Sequence, residues 1–556
     1  MALLPLLPLL QSVAQSPASG SVSPDIANMA SAYVPIESWI YPAFDRLASA
    51  GYVQTAFVGL RPWTRMDCAR LIAEAQEQQI DRGNDASSSQ VLRELSIEFA
   101  AELRRRDSEK NREARVESIT LRSTTITGAP LADGYHSAQT ITNNYGRPYG
   151  QGQNTYAGTS LRAAYGPFAA YVHAEMQQAA SLPSIPQSAN NAIALADFTP
   201  TAAAGPHAGF TRPRVLEAYV SFTHRNNQFT LGKQSLWWGP GKGGPLLFSN
   251  NAEPVTMLRY DRVRPFEIPG IGHWLGPIRI QAFVGRLSGH QFLHAGSQTF
   301  GQSGLALGNQ PFLHGQKISF KPTPNFEFSV SRTVVFAGAG TGFTTRSFIR
   351  SLFSGGNSDG KNDPGDRRSA VDVQYRIPKL RNWLTAYVDT FTDDEPFPLN
   401  YPTESAWSPG LYLSHLPHLP KLDLRAEGYL TPHRDLFPGF YYFNVRYLSG
   451  YTNNRQLLGN WIGRESNGFQ LWSTWWISPR SSLQFSTRHQ SASAEFLQGG
   501  SLLDLSLTAD LALASEWQLG VAVQGERWRF PLLSPSPTHN VVSTIQLSYR
   551  PQGRNP

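Results

Sequence analysis

Apolar and polar residues take turns along much of this chain. Between 503 and 513 the odd positions are Leu503, Leu505, Leu507, Ala509, Leu511 and Leu513, with Asp504, Ser506, Thr508, Asp510 and Ala512 between them. A period of two puts successive side chains on opposite faces, so this stretch predicts a strand with one greasy face and one wetter face. The pattern returns at Trp517, Leu519, Val521 and Val523, at Tyr441, Phe443, Val445 and Tyr447, and at Leu422, Leu424 and Ala426. Leu384, Ala386 and Val388 repeat it, as do Leu216, Ala218, Val220 and Phe222. After residue 20 no run reaches the ~18 apolar residues that a spanning helix needs. Repeated alternating strands rich in Tyr and Trp therefore predict a transmembrane β-barrel, closed because lipid satisfies no free backbone group.

Turn chemistry divides the strands. Asn226-Asn227 and Ser478-Pro479-Arg480-Ser481 read as short periplasmic turns. Longer Gly-, Asn- and Asp-rich segments at 133–156, 182–213, 286–315 and 354–369 read as extracellular loops. The span 116–550 accommodates roughly 16–18 antiparallel strands at ~10 residues each plus connections. A cylinder that wide has a lumen, which something must fill.

Before residue 116 the period changes. Ile40, Phe44 and Leu47 share a helical face, with Pro42 placed in the first turn and Gly51 at the end. Thr64 is positioned to cap a second helix, with Asp67 three residues on and Cys68, Leu71, Ile72 and Ala75 as the buried stripe. A third helix is expected from Ser87, with Gln90 completing a capping box and Val91, Leu95, Phe99 and Leu103 along one face. The mixed charges of Arg104 to Arg115 read as an exposed helix end or linker. The expected division is a signal peptide at 1–14, a flexible leader at 15–32, a small α-helical periplasmic plug at 33–115 and the barrel at 116–556. The signal rests on the apolar run Leu3 to Leu10 and on Ser12-Val13-Ala14 before Gln15, although its first residues carry no Lys or Arg.

Composition agrees. Charged residues make up 16% of the chain, against ~25% in soluble domains, while aromatics reach 12%. Aromatic girdles and a lipid-facing wall account for both. The formal charge of +7 favours an anionic partner such as an acidic polysaccharide or lipid headgroup. Lys and Arg are scattered, without the basic run beside stacking aromatics that a nucleic-acid partner requires. The single cysteine, Cys68, excludes an intrachain disulfide and a Cys-based metal cluster.

Several stretches are recognisable in order along the chain: VPIESWIYPAFDRLASAGYV (34–53), GLRPWTRMDCARL (59–71), NNYGRPYGQGQN (143–154) and LWWGPGKGGPLLFSNNAEP (236–254). They continue with LHGQKISFKPTPNFEFSVSRT (313–333), YRIPKLRNWL (375–384), LSHLPHLPKLDLR (413–425) and LLGNWIGRESNGFQLWSTWWISPRSSL (457–483). On these the chain resembles the capsule-assembly, Wzi-type outer-membrane barrel family. The resemblance implies a barrel of about 18 strands whose periplasmic end is occupied by a small helical bundle. It also implies a lectin-like role in holding capsular polysaccharide at the cell surface, a role that leaves the glycan unspecified. Residues 34–72 also look like an S-layer-homology helix pair, a module that binds cell-wall polymers. The last strand runs through Ile545, Leu547 and Tyr549, so recognition by the barrel-assembly machinery is expected to use Tyr549 internally.

The densest unusual chemistry is Trp237-Trp238-Gly239-Pro240-Gly241-Lys242-Gly243-Gly244-Pro245. Trp faces stack on the C–H faces of sugars, Asn250, Asn251 and Glu253 suit hydroxyls, and Lys242, Arg259 and Arg262 suit uronate carboxylates. The same stretch also reads as a folded-in loop that packs the lumen. Its Gly-x-Gly-x-x-Gly spacing is interrupted by Pro240 and opens no helix, so it is no nucleotide site. Asp393-Asp394-Glu395 and the loop with Asp359, Asp363 and Asp366 read as solvated carboxylates, and neither metal nor cofactor is expected. His273, His290, His294 and His314 are assigned to loop packing. Without a Ser-centred elbow or a His-Glu-x-x-His pair, no catalytic residue stands out, although a barrel can unite distant carboxylates as glycosidases do. The alternative to an anchor is a porin with a basic lumen.

Overall fold

The computed structural model describes residues 26–551, apart from 83–85, 108–109, 271, 296–297, 302–306, 339–341, 354–364, 381–382, 395–396 and 436. The expected signal peptide and the leader as far as 25 lie outside the described residues, as do Asp359, Asp363 and Glu395.

Eighteen antiparallel strands close into one barrel, each paired with its sequence neighbour in the wall and the last with the first. They are β1 (Arg112–Ile126), β2 (Gly152–Tyr165), β3 (Phe168–Ala179), β4 (Phe210–His224), β5 (Asn227–Gln234), β6 (Val255–Arg262) and β7 (Ile278–Arg286). A loop hairpin, β8 (Leu293–Ala295) and β9 (Gln298–Phe300), intervenes before β10 (Phe312–Thr323), β11 (Phe326–Phe336), β12 (Asp366–Arg376), β13 (Leu384–Asp393), β14 (Ala406–Leu413) and β15 (Leu422–Leu430). A second hairpin, β16 (Thr452–Asn453) and β17 (Gln456–Leu457), precedes β18 (Ser466–Ser478), β19 (Ser481–Ala492), β20 (Gly500–Ala512), β21 (Trp517–Arg529) and β22 (Thr538–Tyr549).

The wall is inside-out relative to a soluble protein. Leu503, Leu505 and Leu507 point outward and are exposed, as are Val220, Leu231 and Ile545 on other strands. The alternate positions point inward and are buried and polar. Arg488 pairs with Asp504 at 2.6 Å across β19 and β20, and the hydroxyls of Ser319 and Ser329 meet at 2.9 Å across β10 and β11. Only lipid makes the outward set favourable, and only a filled lumen makes the inward set buried.

The lumen is filled from both ends. At the short-turn end lie α1 (Ile40–Ser49), α2 (Arg65–Arg82), α3 (Ala86–Glu98) and α4 (Ala100–Asp107), packed round Phe44, Leu47, Trp63, Leu71, Ile72, Leu95 and Phe99. Thr64 caps α2 as expected, its hydroxyl accepting the Asp67 N–H at 3.2 Å. The expected third helix starts one residue early, so Ser87 lies within it and accepts a hydrogen bond from Arg46 instead, and the helix is interrupted at Phe99.

Three further expectations are corrected. The charged run is only in part the exposed helix end expected: Arg104 and Asp107 close α4 in the open, but Arg105 is buried between Glu102 and Glu113, and β1 begins at Arg112 rather than 116. These charges are paired because the plug abuts the wall there. Residues 26–32 are held along the barrel rim, with the Ala30 N–H donating to Gly166 and Ala32 accepting from Arg65. Tyr441 to Tyr447 form no strand. They belong to the long loop 431–465, where Tyr442 adopts φ +64°, a backbone state that breaks an extended run.

Candidate functional site at the extracellular mouth

The eight residues picked out by sequence do not gather in one place. Trp237 exchanges two 3.0 Å backbone hydrogen bonds with Arg61 of the plug, so the loop 235–254 descends through the barrel to its floor. Trp238 is 1% exposed, packs against Phe248 and Phe283, and donates its indole N–H to Gln281 at 2.9 Å. Both Trp faces are thus taken by protein. Asn250 and Asn251 stitch loops together: their carbonyls accept from Tyr145 (2.8 Å) and Gly146 (3.0 Å), and the Asn251 amide oxygen accepts from Asn143. Glu253 is held by Arg214, Lys233 and Asn454, and the hydrogen bonds of the first two keep its carboxyl low against the cost of burial.

Arg259 and Arg262 belong to the other end. Strand β6 runs toward the plug, where Arg259 pairs with Asp261 at 2.9 Å and lies over the Tyr33 ring, while Arg262 donates to the Arg225 carbonyl. Sequence proximity to the Trp segment misplaced them. Lys242 alone faces water. Its ammonium sits 5.3 Å over the Trp472 ring in a space walled by the barrel, and that enclosure pushes it down to about 8 against the pull of Asp423.

The mouth itself is built by loops 127–151, 180–209, 431–465 and 493–499. Its base is ionic. His136 bridges Asp133 and Asp197, each at 2.6 Å, and Arg464 holds the second oxygen of Asp197 at 2.7 Å. Burial alone depresses the His136 imidazole, but the two carboxylates outweigh it and hold it at about 9. The Arg464 guanidinium also lies 4.5–5.0 Å from the rings of Tyr135, Phe443 and Phe496.

On this base stands an aromatic platform. Phe198, beside the loop helix α5 (Gln187–Ala196), is 57% exposed and lies 5.9 Å from Phe437 and 6.2 Å from Phe443. Phe437 stacks on Phe443 at 5.3 Å and meets Phe440 edge-on at 6.4 Å. One basic group adjoins it: Arg434 lies 4.8 Å over Phe440 and pairs with Glu404 at 2.9 Å. The exposed Phe198 ring suits a sugar C–H face, and the Arg434 guanidinium suits a carboxylate.

Among the described residues two groups have the geometry to hold a cation, His433 with Glu465 and Glu495, and Asp366 with Asp393 and Asp394, each set having ligand atoms within 4.8 Å of one another. In the second set Arg368 already supplies the charge, at 2.6 Å from Asp366 and 3.1 Å from Asp393.

The profile of the capsule assembly protein Wzi family matches residues 121–542, most of the chain. This chain belongs to that family. As a Wzi-family barrel it is similar in fold to Wzi of Escherichia coli, described as an outer membrane protein involved in group 1 capsule assembly and a carbohydrate-binding β-barrel. The two superpose with a TM-score of 0.66 over 94% of this chain and 99% of the other, at 14% identity. A protein of Klebsiella pneumoniae described as an uncharacterized 55.8 kDa protein in the cps region is 22% identical over 173 residues. That alignment spans 31% of either chain, so this chain covers about a third of that relative's length.

Within this Wzi-family barrel, Phe443 escaped the sequence reading because 441–447 imitated a strand. Pro438-Gly439 before them and Ser449-Gly450 after them were the available signal: breakers that close bracket a packed loop better than a membrane strand.

Proposed function

We propose that this chain is a non-enzymatic outer-membrane anchor that holds an acidic surface polysaccharide on its extracellular mouth. The observation that carries this reading is the Phe198–Phe437–Phe440 cluster at the mouth, with Phe198 bare to water and Arg434 over Phe440, on a barrel whose lumen is packed from below. What is said of the Escherichia coli relative, carbohydrate binding and a part in capsule assembly, supports it. A repeating polymer engages many anchors at once, so modest single-site contacts add up to retention. Insertion into outer-membrane lipid would run through the barrel-assembly machinery reading the strand that ends on Tyr549.

The test is polymer retention by cells carrying wild-type or Phe198→Ser/Phe437→Ser protein, with the polymer released into the medium measured in parallel. The reading expects wild-type insertion together with polymer shed to the level of cells without the gene. Full retention by a correctly inserted double variant refutes the platform. The water-accessible Lys242 favours a second reading, a channel for anionic solutes. Under the anchor reading, planar bilayers show conductance only after residues 33–110 are deleted; high conductance of the intact protein favours the channel.

A further inference from the structure

On β10 and β11, three side chains that point out of the barrel are buried. In β10 and β11 the lumen-facing positions are Leu313, Lys317, Ser329 and Val335, so His314, Val334 and Phe336 face the membrane side. Each is nevertheless at most 2% exposed. Their cover is α7 (Thr345–Phe353), which lies on the outer wall at the extracellular end of β11. Ser351 of α7 meets the His314 imidazole at 2.9 Å, and the Phe348 ring stands 5.7 Å from His314 and 5.9 Å from Phe336.

The helix is built to stay there. Thr344 caps its start, the hydroxyl accepting the Ser347 N–H at 3.0 Å while Ser347 accepts the Thr344 N–H at 2.9 Å. At its other end Arg332, reaching out from the wall, donates to the carbonyls of Ser351 and Leu352 at 3.4 and 3.3 Å, which also sets a positive charge at the negative end of the helix.

With Phe348, Ser351 and Leu352 turned to the wall, the opposite face carries Arg346, Ile349, Arg350 and Phe353, two i, i+4 pairs side by side. Ile349 is 49% and Phe353 52% exposed, Phe343 is similarly bare one turn earlier, and Arg346 is exposed. We propose that α7 is an interfacial lipid-binding helix that takes a phosphorylated glycolipid of the outer leaflet, its acyl chains against Ile349 and Phe353 and its phosphate against Arg346 and Arg350. A water-facing helix at this height gains nothing from bare Ile and Phe, whereas a helix lying at the boundary of headgroups and acyl chains buries them and offers its arginines to phosphate. A second copy of the chain would bring the same positive charges against themselves.

Full-length protein is reconstituted in phosphatidylcholine nanodiscs with diphosphoryl lipid A, its dephosphorylated form or phosphatidylglycerol, and retained lipids are counted by native mass spectrometry. The wild type is expected to retain diphosphoryl lipid A about tenfold over the other two. R346Q/R350Q, checked for folding by heat-dependent gel migration, is expected to lose that preference; R346Q alone serves if the double variant does not insert. Equal retention of the three lipids, an unchanged preference in the variants, or displacement of the lipid by millimolar inorganic phosphate would each overturn the assignment.

Discussion

The two ends of this barrel are closed by opposite means. The plug draws its core from one short stretch, Val34 to Phe99, arranged on helices. The core beneath the mouth takes Phe57 and Leu60 from the plug and Phe391 from β13, and adds Trp238, Leu246 to Phe248, Tyr442, Tyr447, Trp461 and Ile462 from loops hundreds of residues apart. Its backbone is satisfied between loops: Trp238 donates to Phe248, Ser249 to Leu458 and Tyr451 to Tyr442, all at 2.8–3.0 Å. A locally folded module can cork the floor, whereas the irregular end is free to vary its surface, which is where a ligand-specific face is wanted.

Cutting into the shared core gives the largest expected effect. Trp238→Ala removes a fully buried ring and leaves Gln281 without its indole partner, at a cost of about 3–5 kcal/mol. Heat-dependent gel migration should shift to lower temperature, and proteases added outside cells should cut loop 431–465. If only the plug loosened, the division drawn between the two ends would fail.

The plug seam comes next. Arg65 is buried against Glu102 (2.6 Å) and Glu98 (3.0 Å), and β2 contributes Arg162 at 3.8 Å from Glu102. Arg65→Met strands a buried carboxylate and should cost about 3 kcal/mol, the low end for a severed buried pair because Arg162 remains. Protease sensitivity of residues 33–110 from the periplasmic side is the readout, with the mouth unchanged; protection equal to wild type would mean that the ion pairs do not hold the plug.

Legibility follows the same division. The wall was readable because lipid outside and polar lumen inside write a two-residue period straight into the sequence, and the plug because caps and stripes are local. The mouth was not. Loop packing has no period: Tyr441, Tyr442 and Phe443 are buried one after another, as are Tyr447 and Leu448, so the alternation of apolar letters there marks no two-faced strand. Trp237 and Trp238 fitted a packed, folded-in loop as well as a sugar platform, and nothing local distinguishes an exposed Trp pair from one that descends to the floor. Phe198, an isolated aromatic at φ +55°, carried no signal until Phe437 and Phe443 were brought beside it.

Acidity should separate the ends at moderate cost. His136 is held above its ordinary value, at about 9, by Asp133 and Asp197 despite burial. A raised folded-state value contributes stability in full below about 6.5, lost as pH rises through 9. With Asp133 half-exposed and screened, the contribution is about 2 kcal/mol. Protection of loops 127–151 and 180–209 against hydrogen exchange, relative to the intrinsic rate at each pH, should therefore fall between pH 7 and 10 in the wild type and lose that dependence in His136→Gln. The same pH slope in the variant would take the loop base out of the picture.

The smallest effect discriminates best. Thr64→Ala deletes the cap of α2 and should cost about 1 kcal/mol, since the Asp67 N–H loses its 3.2 Å acceptor at a buried helix start. Because the plug is locally encoded, that loss should appear as faster exchange across 65–82 and leave loops 235–254 and 431–465 at wild-type rates. A mouth that loosened in step would show that the hydrogen bonds between Arg61 and Trp237 transmit the plug's stability upward, making one cooperative unit of what the sequence separates into two.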